Sequence, residues 1–163
     1  ACMTTSDAHA ALLETVQRLL AGDQSTDDRL AQVVTLVGEA FGYVDVGVLL
    51  ADPADPEFLV LRASNYAGFP DAVGRYRQSK AGGLIGRALR SGRQLLVADV
   101  SQAPDYLPLP GVPVMAELVT PIRVAGVLRG VLNVESLHPI PPAEAAAVAS
   151  VATLLGAALE ARA

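Results

Sequence analysis

The stretch Pro121-Ile122-Arg123-Val124-Ala125-Gly126-Val127-Leu128-Arg129-Gly130-Val131-Leu132-Asn133-Val134-Glu135-Ser136 decides the fold. Two β-rich arms flank Val124-Ala125-Gly126, which predicts a hairpin of strands over 115–124 and 127–135. The turn fixes which side chains share a face, because a slip of one residue sends a strand's side chains to the opposite side. A two-residue turn at Ala125-Gly126 pairs Glu117 with Val134 and leaves Asn133 and Glu135 facing the other way. A three-residue turn over Val124-Ala125-Gly126 pairs Glu117 with Asn133 and brings Glu117, Asn133 and Glu135 to one face; a glycine able to take the left-handed position favours it. Two carboxylates and an amide so placed suit a ligand ammonium or several hydroxyls. The alternative is a solvated face on which Arg123 and Arg129, of the same parity, pair with the acids for about 0 to 1 kcal/mol each.

Upstream of the hairpin, apolar residues Leu12, Leu13, Val16, Leu19 and Leu20 recur at helical spacing, predicting a helix over 7–21 capped by Asp7. A second helix follows Ser25-Thr26-Asp27-Asp28 and ends at Gly42. The period then changes to two. Val44, Val46, Val48 and Leu50 fall on one face of a strand, while Asp45, Gly47 and Leu49 on the other fit either a cavity wall or a half-exposed surface. Turn formers at 52–56 join this strand to a second at 58–64, and residues 65–82 read as irregular. Gly82 to Gly92 reads as a short helix whose glycine-rich start offers free N–H groups to an anion, or simply lets the helix pack closely. A strand at 94–100 and a proline-rich loop at 101–113 follow, with Asp105 and Tyr106 as lid candidates. The chain closes with a helix from Pro142 to about residue 161. Consecutive hairpins with helices at the ends predict an α+β fold with a central antiparallel sheet of about five to six strands. Residues 1–6 are expected to form a disordered tail and 7–163 one domain.

Composition narrows the function. The net charge of −5 and the scattered arginines argue against nucleic acid as a partner. No membrane span is expected, and the first residues lack the basic and apolar segments of a secretory signal, so a cytoplasmic setting is the default. Cys2 is the single cysteine and has no partner for a disulfide. His138 follows the last strand in a loop, an unpromising place for a haem ligand, and His9 is less promising still. No cofactor is expected, and no Cys/His cluster offers a zinc site.

Gly83-Leu84-Ile85-Gly86 opening a helix, Val97-Ala98-Asp99-Val100 and the closing hairpin together resemble a GAF domain from about residue 7 to 161. The resemblance implies a small sensory module whose terminal helices lie on one face of the sheet, with a ligand pocket, the short helix and the loops on the other. The chain also resembles the enzymatic branch of that family, the free methionine-R-sulfoxide reductases. There a cysteine stands at the position of Ile85 and another just ahead of Glu117, and both are absent. The carboxylates that hold the substrate amine in that branch correspond to Glu117 and, less closely, to Asn133 and Glu135. Sulfoxide reduction needs an attacking thiolate and a second thiol to resolve it, so amine binding can survive here while the redox step cannot. The signature of phosphodiesterase-type cyclic-nucleotide binders and the cysteine of bilin binders are missing as well.

The expectation is a non-catalytic sensory GAF domain in signal transduction, with an amino-acid-like ligand. The alternatives are a reductase-like enzyme and a structural dimerisation module without ligand. Its binding residues are expected to be Glu117, Asn133, Glu135, Asp45, Gly83, Leu84, Ile85, Asp105 and Tyr106. A homodimer through the N- and C-terminal helices is expected from the apolar stripe Val148, Val151, Leu155 and Leu159 and the small residues Ala149, Ala152 and Gly156 beside it.

Overall fold

The computed structural model describes residues 2–162. Helix α1 (Thr5–Leu20) starts two residues before its expected position. Thr4, rather than Asp7, is the N-cap: its hydroxyl accepts from the Asp7 N–H at 3.1 Å, and the Asp7 carboxylate accepts from the Thr4 N–H at 3.1 Å. This reciprocal pair satisfies two otherwise orphaned donors and draws residues 5 and 6 of the supposed tail into the helix. Helix α2 (Thr26–Phe41) begins as expected at Ser25, whose Oγ accepts from the Asp28 N–H.

Strands β1 (Asp45–Asp52) and β2 (Asp55–Ser64) form the first hairpin, and β3 (Arg77–Ser79) adds a short edge strand within the stretch read as irregular. Helix α3 (Gly83–Ser91), strand β4 (Leu95–Val97), strands β5 (Ala116–Val124) and β6 (Val127–Ser136), and helix α4 (Pro142–Glu160) complete the chain. The six strands make one antiparallel sheet in the order β3-β2-β1-β6-β5-β4. This is the α+β arrangement that the sequence predicts.

Parity along each strand divides the apolar residues into two layers. Val46, Val48, Leu118, Ile122, Leu132 and Val134 face α1, α2 and α4 in the larger core. Leu49, Leu59, Leu61, Val119 and Val131 face the opposite way and meet Leu84, Ile85 and Ala88 of α3. Helix α3 covers only part of that second face, and the remainder is where a cavity opens.

Helix α4 lies along the sheet as part of the larger core. By length and composition it is apolar enough to cross a membrane, at a mean hydropathy of 1.5 over its richest window, yet here Val148, Val151, Ala152 and Leu155 are buried in the larger core. Its small residues also have an intramolecular use. A Cβ on Gly156 would lie 2.1 Å from the Arg123 carbonyl oxygen, so this glycine lets α4 lie directly on β5, and Ala152 is likewise inside the core. Gly156 and Ala152 thus face the protein's own sheet, while Ala149 is half-buried.

Candidate functional site

The β5–β6 hairpin settles the question of parity by a route that neither turn anticipates. Ala125 and Gly126 have φ of 51° and 79°, a two-residue turn with both central residues left-handed, and Val124 pairs with Val127. That register, continued, would have turned Glu117 away from the other two residues. A β-bulge intervenes: Arg123 pairs with Leu128 but Ile122 pairs with Gly130, so Arg129 is the extra residue on β6. Beyond the bulge Glu117 pairs with Glu135, and Val119 with Asn133. Glu117, Asn133 and Glu135 therefore share a face, although through a tight turn plus a bulge instead of the three-residue turn.

Strand β1 adds a third acid. Asp45 pairs with Glu135 and Gly47 with Asn133, so Asp45, Glu135 and Glu117 stand abreast on three neighbouring strands. Like charges directly opposite one another repel, and no Lys or Arg among the described residues forms an ion pair with any of the three. Arg123 donates to the Gly92 carbonyl at 3.0 Å instead, which removes the solvated-face alternative for that residue. Glu117 and Glu135 are each 5% exposed and Asn133 7%.

Burial raises the Glu117 carboxyl to about 8, with a partial offset from the Asn133 amide and a further push from the charge of Asp45. It raises Glu135 to about 9, helped by the charges of Glu117 and Asp45. Asp45 rises to about 6 through burial, moderated by the Ser64 hydroxyl 3.3 Å away. In the unliganded protein, then, Glu117 and Glu135 are largely protonated at neutral pH. Glu135 Oε2 and Asn133 Oδ1 are buried and make no hydrogen bond. A buried polar atom without a partner costs about 1 to 3 kcal/mol, so the floor leaves both atoms for a ligand to satisfy.

The row floors a cavity of about 720 Å³, within the range usual for small-molecule sites. Its walls include Leu49, Leu61, Leu84 and Ile85, and its mouth is formed by Tyr66, Phe69 and Tyr76 on one side and Leu107 to Pro110 on the other. Of the expected site residues, Asp45, Leu84, Ile85, Glu117, Asn133 and Glu135 line this cavity.

The other three do not. Gly83 lies beneath Leu107, whose Cδ1 would be 2.9 Å from a Cβ there, so Gly83 itself does not line the cavity, although its neighbours Leu84 and Ile85 do. Asp105 is held outside by a two-point pair with Arg87, at 3.1 and 2.9 Å, and borders a shallow groove beside β4. Tyr106 packs into the smaller core, with its hydroxyl buried and lacking a well-formed hydrogen bond; burial and then the charge of Glu135 raise it to about 12.

The mouth residues Tyr66, Phe69 and Tyr76 are what the sequence reading missed. Their signal was three aromatic residues within an otherwise irregular stretch of a chain with only 4% aromatic content. Phe69, Tyr76 and Leu107 remain 45 to 52% exposed at the mouth, as apolar groups awaiting cover would be.

Comparison with known proteins agrees with this architecture. The "GAF domain" family model matches residues 23–160. GAF domain-containing protein A of Dictyostelium discoideum is 30% identical over 125 residues, covering 77% of this chain and 74% of that protein. The GAF domain of a phosphoenolpyruvate-protein phosphotransferase from Coxiella burnetii superposes with a TM-score of 0.87 at 22% identity, covering 96% of this chain and 95% of that one. The free methionine-R-sulfoxide reductase of Neisseria meningitidis, solved in complex with its substrate, superposes with a TM-score of 0.84 at 24% identity, covering 99% and 93%. At these identities the structural likenesses speak for the fold. Ile85 is a buried wall residue, and the chain's one cysteine, Cys2, is exposed ahead of α1. On the family match and its sheet and helix order, the chain belongs to the GAF domain family, whose members are sensory and regulatory modules.

Proposed function

We propose that this GAF domain is a non-catalytic cytoplasmic sensor that binds a small molecule through a protonated amino group. The observation that carries the reading is the row Asp45, Glu135, Glu117 on the cavity floor, with both glutamates buried and Asp45 half-buried, none paired with a cation among the described residues, and accompanied by the unbonded Asn133 Oδ1. An ammonium brings donors and a positive charge, so it supplies what the floor lacks and favours the ionised carboxylates. The amino-acid-like ligand expected from the sequence is one such molecule. The reductase reading has no second thiol in this chain, and an open cavity of this size argues against a purely structural module.

A thermal-shift screen of primary amines, amino acids and methionine sulfoxide tests the proposal. A true ligand at a hundred times its Kd stabilises by about 2.7 kcal/mol, a rise of roughly 5 to 11 °C for a chain of this size. Glu135→Gln is expected to abolish the shift. A screen in which amines give nothing while neutral or anionic compounds stabilise would overturn the reading.

Output would run through the opposite face, where α1 and α4 pack together. A homodimer through these helices is proposed from their half-buried residues Leu12, Leu19 and Leu159. Sedimentation at micromolar concentration is expected to give twice the chain mass, and a monomer throughout would refute the assembly.

A further inference from the structure

The acids on the cavity floor are strung out rather than gathered. Asp45, Glu135 and Glu117 lie abreast on β1, β6 and β5, and with strands about 4.8 Å apart the outer two backbones are roughly 10 Å from each other. Among the described residues no three His, Cys, Asp or Glu side chains converge closely enough to hold a metal ion. The row therefore fits positive charges spaced along a molecule better than one concentrated at a point.

The remaining floor chemistry points the same way. Asn133 and Glu135 are more than nine-tenths buried, and the atom each leaves unbonded, Oδ1 and Oε2, is an acceptor facing this cavity's contents. A ligand carboxylate, by contrast, finds little to meet it. Leu107 covers Gly83, the first turn of α3 brings only the apolar Leu84 and Ile85 side chains to the cavity, and among the described residues Arg75 is the one cation lining it, with Asp71 lining it as well. A zwitterion would have to set its anion near the acids or reach for Arg75 past Asp71.

We propose that the cavity receives an organic dication, a small molecule with two protonated amino groups joined by an apolar chain, lying along Asp45, Glu135 and Glu117. The inference rests on the ammonium reading above and narrows it. The apolar wall of Leu49, Leu61 and Ile85 takes the chain between the charges. Entry of two positive charges ionises the row and releases protons from it. The polar groups that line the cavity around the row include the Ser64 hydroxyl from β2, Tyr76 ahead of β3, and Arg75 and Asp71 at the rim, while Tyr106 and the Arg87-paired Asp105 lie outside it but close enough for charge to be felt between them and the row. None of these supplies a cation on the floor itself, so the release is not masked by a neighbour.

Calorimetric titration with putrescine, cadaverine, n-butylamine and methionine sulfoxide tests the proposal. The diamines are expected to bind at least about tenfold more tightly than butylamine. Titrations in buffers of different ionisation enthalpy are expected to show proton release, with affinity rising from about pH 6 to about pH 8. Asp45→Asn and Glu117→Gln, neutral replacements at the two ends of the row, are each expected to bring diamine affinity down to the level of butylamine; a melting curve establishes that each variant is folded. Equal affinity for butylamine and the diamines, or tighter binding of methionine sulfoxide, overturns the dication and leaves the single-ammonium sensor standing. Failure of every amine overturns both.

Discussion

Gly130→Ala is expected to lower stability by about 3 kcal/mol and the melting temperature by roughly 6 to 12 °C, although it adds only one methyl group. A Cβ at this position would lie 2.0 Å from the Leu49 carbonyl oxygen and 2.9 Å from Leu50 Cδ2. The nearest atom belongs to the backbone of β1, so no rotamer change relieves the clash, and the two central strands must part. Gly130 pairs with Leu50 and also sits beside the bulge that resets the β5–β6 register. Displacing it disturbs the alignment of Asp45 with Glu135 and of Glu135 with Glu117, so the variant is expected to lose amine binding even at temperatures where it is folded. A melt within 2 °C of the parent, a shift of under about 1 kcal/mol, would show that the strand contact is softer than its geometry indicates.

This position also shows where the sequence was readable and where it was not. The alternation of Val46, Val48, Leu118, Ile122, Leu132 and Val134 is a period-two signal strong enough to give the sheet, and the stripes on α1, α2 and α4 give the face they cover. Glu117, Asn133 and Glu135 were legible as a group through their parity, but the mechanism of their convergence was not. A bulge leaves no mark in composition: Arg129 looks like any other strand residue, and only the distant Leu49 carbonyl explains why a glycine follows it. Position 125 misled in a related way, since an alanine at φ 51° gives no cue for a turn that usually recruits Asn or Gly.

The loops were less legible for a different reason. Asp105 and Tyr106 were placed on a lid by their loop, yet the side-chain direction of Asp105 was decided by Arg87, eighteen residues away, and that of Tyr106 by the smaller core. The start of α3 is glycine-rich as the sequence shows, but the cover that Leu107 places over Gly83 is a tertiary contact that no local pattern encodes.

The acid row makes the unliganded protein lose stability as pH rises. For Glu117 and Glu135 the folded-state values of about 8 and about 9 lie above the ordinary 4.5, so between these limits the folded chain holds protons that the unfolded chain has released. The contribution of these groups to stability is then fully present below about pH 4.5 and falls as pH rises, by up to about 1.4 kcal/mol per pH unit for each, until its folded-state value is passed. Asp45 adds a smaller loss between 3.8 and about 6. Glu135→Gln replaces the protonated carboxyl with a neutral group of the same shape. It is expected to leave stability near pH 5 almost unchanged and to raise it at pH 8 by about 1 to 3 kcal/mol, because the variant no longer has to keep a proton or bury a charge. Urea unfolding across this range checks both the slope and its partial removal. A saturating diamine is expected to flatten the parent's slope, since pairing with ammonium lowers the carboxyl values toward the unfolded one and binding is strongest where the unliganded row is least stable. Equal destabilisation of Glu135→Gln at pH 5 and pH 8 would mean that Glu135 is ionised and bonded within the fold, and the floor would then have no unmet need for a cationic ligand to fill.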